Sequence, residues 1–479
     1  MKKSISKYPV MILALLVLLL AASCQKKYPE NVESSDEVVL KTIKIVNAGA
    51  NGNTVLEGTI DENRKAITFP RLDTMSDFNN IKFEATMSDG AVLETTSYQL
   101  DFKDGSDYFI DGKSSLTKVI KVVNSARFRE YFATLILKIP PFGADFGKPQ
   151  IYDYTNNELG NPIYPTFTGG STRGSGFDGE HILIVTRASG GSHLLKVSDI
   201  RNNVIAPIPL NQAGVSGGTF AVNVGAQVNG HSYIANLSGN SAGSPLKIYH
   251  WTTPSAAPQL IGSLVVPDGG VRLGDNMSAN LDNDGNGYFF FGDNAATRVV
   301  RVKVTGYTQL SEPAAFVSAT GSSYTMSLNR VGNTPDYIYT GYDAPIRLAN
   351  ESAVVSYALN DDAVPKKGSD AHVITFNRER YLIMTTAARS GSDPVVLYVY
   401  DITKGKTTRE ALELFNGRPD KAAVYQYSLL GPAGPNCFLQ TRWYITKDGE
   451  GRDEKLTLYA AHTDAGFVMI DFPTKTSED

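Results

Sequence analysis

The chain has 479 residues, of which 42% are hydrophobic and 20% charged, with 43 glycines, 24 tyrosines and only two cysteines. That composition excludes a collagen-like chain, a disulfide scaffold and an intrinsically disordered protein, and at about 150 residues per domain the length predicts two to four domains. A formal charge of −4 argues against a nucleic-acid partner, because nucleic-acid binders carry a net basic footprint.

Lys2, Lys3 and Lys7 form a basic start, and Val10 to Ala22 is an unbroken apolar run, VMILALLVLLLAA. At about 1.5 Å per residue this run covers roughly 20 Å, too short to span a bilayer core comfortably. Three lysines and a small-residue end suit a secretory signal peptide over residues 1–23 better than a buried helix. Ala21-Ala22-Ser23-Cys24 resembles a bacterial lipobox, with Ala21 standing where leucine is commonest. The resemblance implies cleavage before Cys24 and lipidation of its thiol, which makes the membrane a partner and the cell envelope, at the outer membrane, the location. Each buried CH₂ of the acyl chains adds about 0.8 kcal/mol to that anchorage. Cys437 is then the remaining cysteine. No motif supplies it with a base, so it reads as a small buried apolar residue rather than a catalytic thiol. Residues 24–37 are polar, contain Pro29, and read as a flexible tether.

Residues 38–140 alternate. KTIKIVN, KAITFP, NIKFEATM, YQLDF, TKVIKVV and ATLILKI are short strand candidates separated by turn signals such as Ser88-Asp89-Gly90. Six or seven such strands predict an Ig-like β-sandwich. The succession GTIDENRKAITFP, NNIKFEATMSDGAVL and YFATLILKI resembles the Ig-like modules that follow the lipobox in Bacteroidota surface lipoproteins. Pro140-Pro141-Phe142-Gly143 closes the module as a stiff hinge, and its expected role is that of a spacer.

Residues 141–475 carry an internal repeat. A strand, a small polar loop and a return strand recur six times, the return strands beginning near Leu194, Leu246, Val299, Ile346, Val395 and Phe467. An upstream strand precedes most units, as in TFAVNVGAQVNG. An outer strand follows the first five: NVIAPIPL, PQLIGSL, TQLSEPAAF, SAVVSYAL and EALELF. Four antiparallel strands per unit of about 50 residues predict a six-bladed β-propeller, so the chain is all-β. The last unit stops at Phe472 without an outer strand, and Gln150 to Tyr154 is placed to supply it and close the ring. The long interval before the last unit points to an insertion around Asn416 to Asn436, a candidate functional loop.

Asp282-Asn283-Asp284-Gly285-Asn286-Gly287 reads like the opening of a calcium loop, with Asp282, Asp284 and Asn286 as oxygen donors. Position twelve is Asp293, beyond a strand that carries it about 20 Å away, so a hairpin turn is the plainer reading and no cofactor is expected. In a propeller, the loops between second and third strands share one face with the loops leading into each first strand. That face is predicted to gather Arg187, Asp293, Asn294, Tyr342, Asp343, Arg389, Asp393, His462 and Asp464 with Arg272, Asp275, Asp370 and His372. Such carboxylates, histidines and arginines suit a polar ligand or acid–base work, although aspartates in loops often only accept backbone N–H bonds. GxSxG, HExxH, P-loop and Cys/His metal patterns are missing from the sequence.

Lipobox, Ig-like module and propeller together resemble Bacteroidota envelope lipoproteins, which implies an envelope location and assigns no catalytic residue. The first functional reading is a lipid-anchored protein whose propeller face binds a glycan, peptide or protein partner. The alternative is a glycan-active propeller enzyme, a glycoside hydrolase or lyase, using rim acids such as Asp275, Asp343, Asp370 or Asp464 with His372 or His462. Glycoside hydrolysis needs two carboxyl groups roughly 5 to 10 Å apart.

Overall fold

The computed structural model describes residues 37–102, 114–139, 141–295, 297–319, 325–391, 393–434 and 436–476. The predicted signal peptide, Cys24 and nearly all of the tether lie outside the described residues. The chain divides between Ile139 and Pro140 into two compact units. Among the described residues no helix is long and apolar enough to cross a membrane.

The first unit contains β1 (Leu40–Ala48), β2 (Thr54–Asp61), β3 (Ala66–Thr68), β4 (Leu72–Asp73), β5 (Ile81–Met87), β6 (Val92–Leu93), β7 (Ser97–Tyr98), β8 (Ser115–Asn124) and β9 (Arg127–Lys138). Period-two alternation sends Ile43 and Ile45 of β1 and Tyr131, Ala133 and Leu135 of β9 into one core, where each is at most 1% exposed. The sequence predicts two facing sheets, and the structure differs. All nine strands form one hydrogen-bonded sheet, eight in the order β6-β8-β9-β3-β2-β1-β5-β7 and β4 beside β9. The reason lies in β2, which pairs with β1 through Thr54 to Gly58 and then with β3 through Thr59 to Asp61. A strand that changes neighbours midway bends one sheet around its core as a half-barrel, and no second sheet is needed. Gly58 sits at the changeover, where a Cβ would lie 2.9 Å from both Ile43 and Phe69.

The second unit is a six-bladed β-propeller: six four-stranded antiparallel sheets, five of them built from consecutive strands. The innermost strands are Thr172–Phe177, Phe220–Val228, Ser278–Leu281, Ser327–Arg330, Gly368–Phe376 and Leu439–Lys447, in blades 1 to 6. Blade 6 ends with Gly466–Pro473 and takes its outer strand from the start of the unit, Gln150–Thr155, in the register Gln150↔Asp471 to Thr155↔Gly466. This exchange joins the two ends of the unit and covers an edge that would otherwise be unpaired. Asp471 adds a second clasp. The guanidinium of Arg201, from the short helix Val197–Arg201 of blade 1, donates to it at 2.9 and 3.2 Å, and Thr457 donates at 2.6 Å. Burial alone would raise the Asp471 carboxyl, but these donors and Lys455 hold it below the ordinary carboxylate range. Large rings fill the spaces between sheets, as with Phe177 stacked on Tyr459 and Tyr233 edge-on to Phe289.

One predicted strand is a helix. EALELF alternates like a strand, yet Thr408–Asn416 is α-helical, and the outer strand of blade 5 is Tyr425–Ser428. The Thr407 side chain accepts from Glu410 N at 3.1 Å while Glu410 Oε2 accepts from Lys406 N at 2.8 Å, a reciprocal N-terminal cap. Ala411, Leu412 and Phe415 then share one buried helical face. The predicted insertion therefore begins at the last residue of this helix and contains the outer strand of blade 5.

Candidate functional site

The first strands start at one end of the channel, and their starting residues from all six blades surround a narrow cavity there. Its contributors include Arg173, Val224, Asp275, Ser327, Asp370 and Cys437. The free space is about 30 Å³, room for about two water molecules. Close approach of backbones causes the narrowness. A Cβ on Gly174 would lie 2.8 Å from Gly225 N, and one on Gly176 would lie 2.2 Å from Gln227 N. Two broader, shallow depressions occur in loops of the same face. One of about 570 Å³ lies by Thr168, Pro432 and Asp464, and one of about 540 Å³ by Asp343, Pro365 and Lys421.

The predicted rim acids are all engaged. Asp275 is gripped at both oxygens by Arg272, at 2.8 and 3.1 Å, and the same guanidinium donates to Asn294 at 2.6 Å. Asp293 is fully buried and accepts from Val271 N and the Thr297 hydroxyl. Asp464 accepts from Gly170 N at 2.8 Å. Asp343 is exposed and paired with Lys367 at 3.2 Å. Asp393 accepts from the Tyr342 hydroxyl at 2.5 Å, and the Tyr342 ring lies under Lys367 and Arg389.

Asp370 lines the same cavity as Arg173, and His372 follows it on the innermost strand of blade 5, so both lie on a strand rather than in a loop. Asp370 accepts from Asn329 at 2.7 Å, from Thr441 N at 2.6 Å and from Arg442 at 3.0 Å, tying blades 4, 5 and 6 together. His372 Nε2 lies 2.8 Å from Thr441 O and 3.0 Å from Arg442, and burial pushes its pKa down to about 4. His462 is equally inaccessible: Nδ1 donates to Thr463 O at 2.6 Å and Nε2 accepts from Ala388 N at 3.2 Å. Its pKa is likewise pushed down to about 4 by burial, so both rings are neutral at pH 7.

Cations at the mouth are held differently. Arg187 lies on the Phe220 ring at 3.4 Å and donates to Asn223, which itself donates to Gly274 O beside Asp275. Burial, with the nearby charge of Arg173, lowers the Arg187 pKa to about 10. Arg173 escaped the sequence reading. It sits in Thr172–Phe177, a Gly-Ser-Gly stretch with no strand-like alternation, although its place upstream of HILIV matches that of TFAVNVGAQ in the next unit. Its guanidinium makes no hydrogen bond or ion pair with another described residue, and its buried Nε has no partner. Burial lowers its pKa, partly offset by the charges of Asp275, Cys437 and Asp464. Cys437 is a free, buried thiol at this mouth, raised to about 11 by burial.

Asp282 to Gly287 forms the hairpin turn between the first two strands of blade 3. Asp282 Oδ1 accepts from Asp284 N and Asn286 N at 3.0 and 2.8 Å, and Asn286 Oδ1 accepts from Gly306 N at 3.2 Å. Asp282 and Asn286 thus each hold backbone N–H groups, and among the described residues no group of three or more His, Cys, Asp or Glu converges on one point.

A family described as a domain of unknown function, DUF4623, matches residues 26–475. A crystal structure of a DUF4623 family protein from Bacteroides eggerthii is 38% identical, covering 92% of this chain and 99% of that one, with a TM-score of 0.69. The WD40 β-propeller domain of Doa1 is 8% identical over 77% of this chain and 90% of that one, with a TM-score of 0.34. YCF48 bound to D1 peptide is 11% identical over 74% and 86%, with a TM-score of 0.30. None of the curated proteins matches the chain.

Proposed function

The chain belongs to the DUF4623 family, and we propose that it is a lipid-anchored protein of the cell envelope whose propeller face binds an extracellular or periplasmic ligand. The observation that carries the binding reading is the contrast in how charge is held at that face. Every predicted rim acid already has protein donors or a cationic partner, whereas the guanidinium of Arg173 has no acceptor or ion-pair partner among the described residues. A general acid or base needs a carboxyl group that reaches substrate, and a binding site needs donors left over for one. Cys24 as anchor rests on the lipobox resemblance. The nine-stranded unit then serves as a spacer between anchor and propeller.

Two assays test these claims. Globomycin-sensitive processing and labelling by a palmitate analogue are expected for the natural chain and absent in Cys24→Ala. A glycan array and a pulldown with the full chain are expected to return a ligand without product formation. Turnover of a polysaccharide, abolished by Asp275→Asn, would favour the glycan-active enzyme instead.

A further inference from the structure

Arg173 opens onto the channel mouth from the innermost strand of blade 1, lining the cavity of about 30 Å³. Asp275, the acid whose charge acts most strongly on it, has both oxygens occupied by Arg272. Arg187 stands beside it with a buried Nε that also lacks a partner. A buried N–H without an acceptor costs stability, so the two buried Nε groups at one mouth call for a reason other than packing. Their planar forks match the two oxygens of a carboxylate. The free space suits that group in size: it accommodates about two waters, hence two carboxylate oxygens, and excludes a whole sugar ring. Arg187 in turn lies on the ring of Phe220, which is 42% exposed. An exposed aromatic next to a cationic fork suits a sugar whose ring stacks while its acid group points inward.

We infer that the channel mouth takes the carboxylate of a uronic acid on a glycan, held by Arg173 and Arg187 with the sugar ring on the face outside. The inference rests on the binding reading above and narrows its ligand class.

The test is calorimetric titration of the full chain with galacturonate, using galactose as its neutral twin. Galacturonate is expected to bind saturably, at least tenfold more tightly than galactose, and to weaken as sodium chloride is raised. Arg173→Met is expected to lose at least tenfold in galacturonate affinity while its melting temperature stays level or rises, because the side chain it removes has no protein partner. Arg187→Gln, which keeps a donor toward Asn223, is expected to lose severalfold. Equal binding of the two sugars, galacturonate binding unchanged in Arg173→Met, or preference for an acidic peptide would overturn the carboxylate site. So would a melting temperature lowered by several degrees in Arg173→Met, which would make the side chain structural. A neutral glycan bound independently of Arg173 would remove the uronate and leave the binding face standing. Failure of every ligand, accompanied by turnover of a polymer, would remove both.

Discussion

In the bore of the propeller, Asp370 receives three donors from two other blades, and Arg442 meets Asp370, Thr441 O and His372. On the cavity that Asp370 also lines, Arg173 makes no hydrogen bond or ion pair with another described residue, and Arg187 keeps one donor to Asn223 and a ring contact. Both places bury charge, and they solve the problem in opposite ways. The bore satisfies its charges internally and so joins blades 4, 5 and 6. The mouth leaves its cations dependent on what arrives from outside. Chemistry alone does not separate structural from functional polar residues in this fold; the completeness of their partners does.

The sharpest way to break this comparison is to remove one partner in the bore. Arg442→Ala leaves Asp370 buried at 5% side-chain exposure without its cation, and the expected loss is about 3–5 kcal/mol in denaturant unfolding. Arg173→Met, at the mouth, is expected to cost nothing. Equal losses in the two variants would erase the distinction between the regions.

Next in size is a pH effect from the two bore and rim histidines. His372 and His462 stay neutral in the fold down to about pH 4, whereas in the unfolded chain they protonate near their ordinary value of 6.5. Between those values the unfolded chain binds more protons, so stability is complete above pH 6.5 and is lost as pH falls toward 4. The slope is about 1.4 kcal/mol per pH unit for each histidine, on the order of 3 kcal/mol for each over the window. Urea midpoints measured from pH 7 to 4 check this, and His462→Gln is expected to flatten the curve by the share of one proton.

The blade plan was legible because alternation and hairpin turns are local signals repeated six times, and Gln150 to Tyr154 could be placed as the missing strand by elimination. Three things escaped for physical reasons. EALELF satisfies a period of two and a helical face equally, and the Thr407–Glu410 cap decides between them. The first unit lacks a second sheet because β2 changes neighbours at Gly58, and neighbour choice is a long-range property. The face was gathered from its loops, but whether a loop aspartate points to solvent, as Asp343 does, or is sealed inside, as Asp293 is, depends on contacts with other blades. Arg173 was missed because small residues hide an inner strand whose purpose is close approach.

That close approach is itself testable. Gly176→Ala places a methyl group 2.2 Å from Gln227 N, between the inner strands of blades 1 and 2, where backbone rather than a flexible side chain must yield. The expected cost is about 1–3 kcal/mol, with weaker ligand binding because the mouth beside Arg173 and Val224 is displaced. Unchanged stability would mean that the blades part easily, and the mouth would then be a less fixed frame than its glycines imply.

The smallest expected effect comes from Asp343, predicted for the same face as Asp370. Its side chain is 59% exposed, and Lys367 meets it at 3.2 Å across solvent. An ion pair in that setting gains little over the hydration it replaces, so Asp343→Asn is expected to shift stability by less than about 0.5 kcal/mol. Asp370→Asn has the same chemistry but strips the charge that Arg442 needs in the bore, so the two substitutions differ only in what surrounds them. Measured side by side in denaturant, a large loss for Asp370→Asn and a negligible one for Asp343→Asn would isolate the contribution of inter-blade partners. If Asp343→Asn instead altered ligand affinity with stability untouched, the Lys367 ammonium it releases would become a second cation of the binding face, on the side of the ring opposite Arg173.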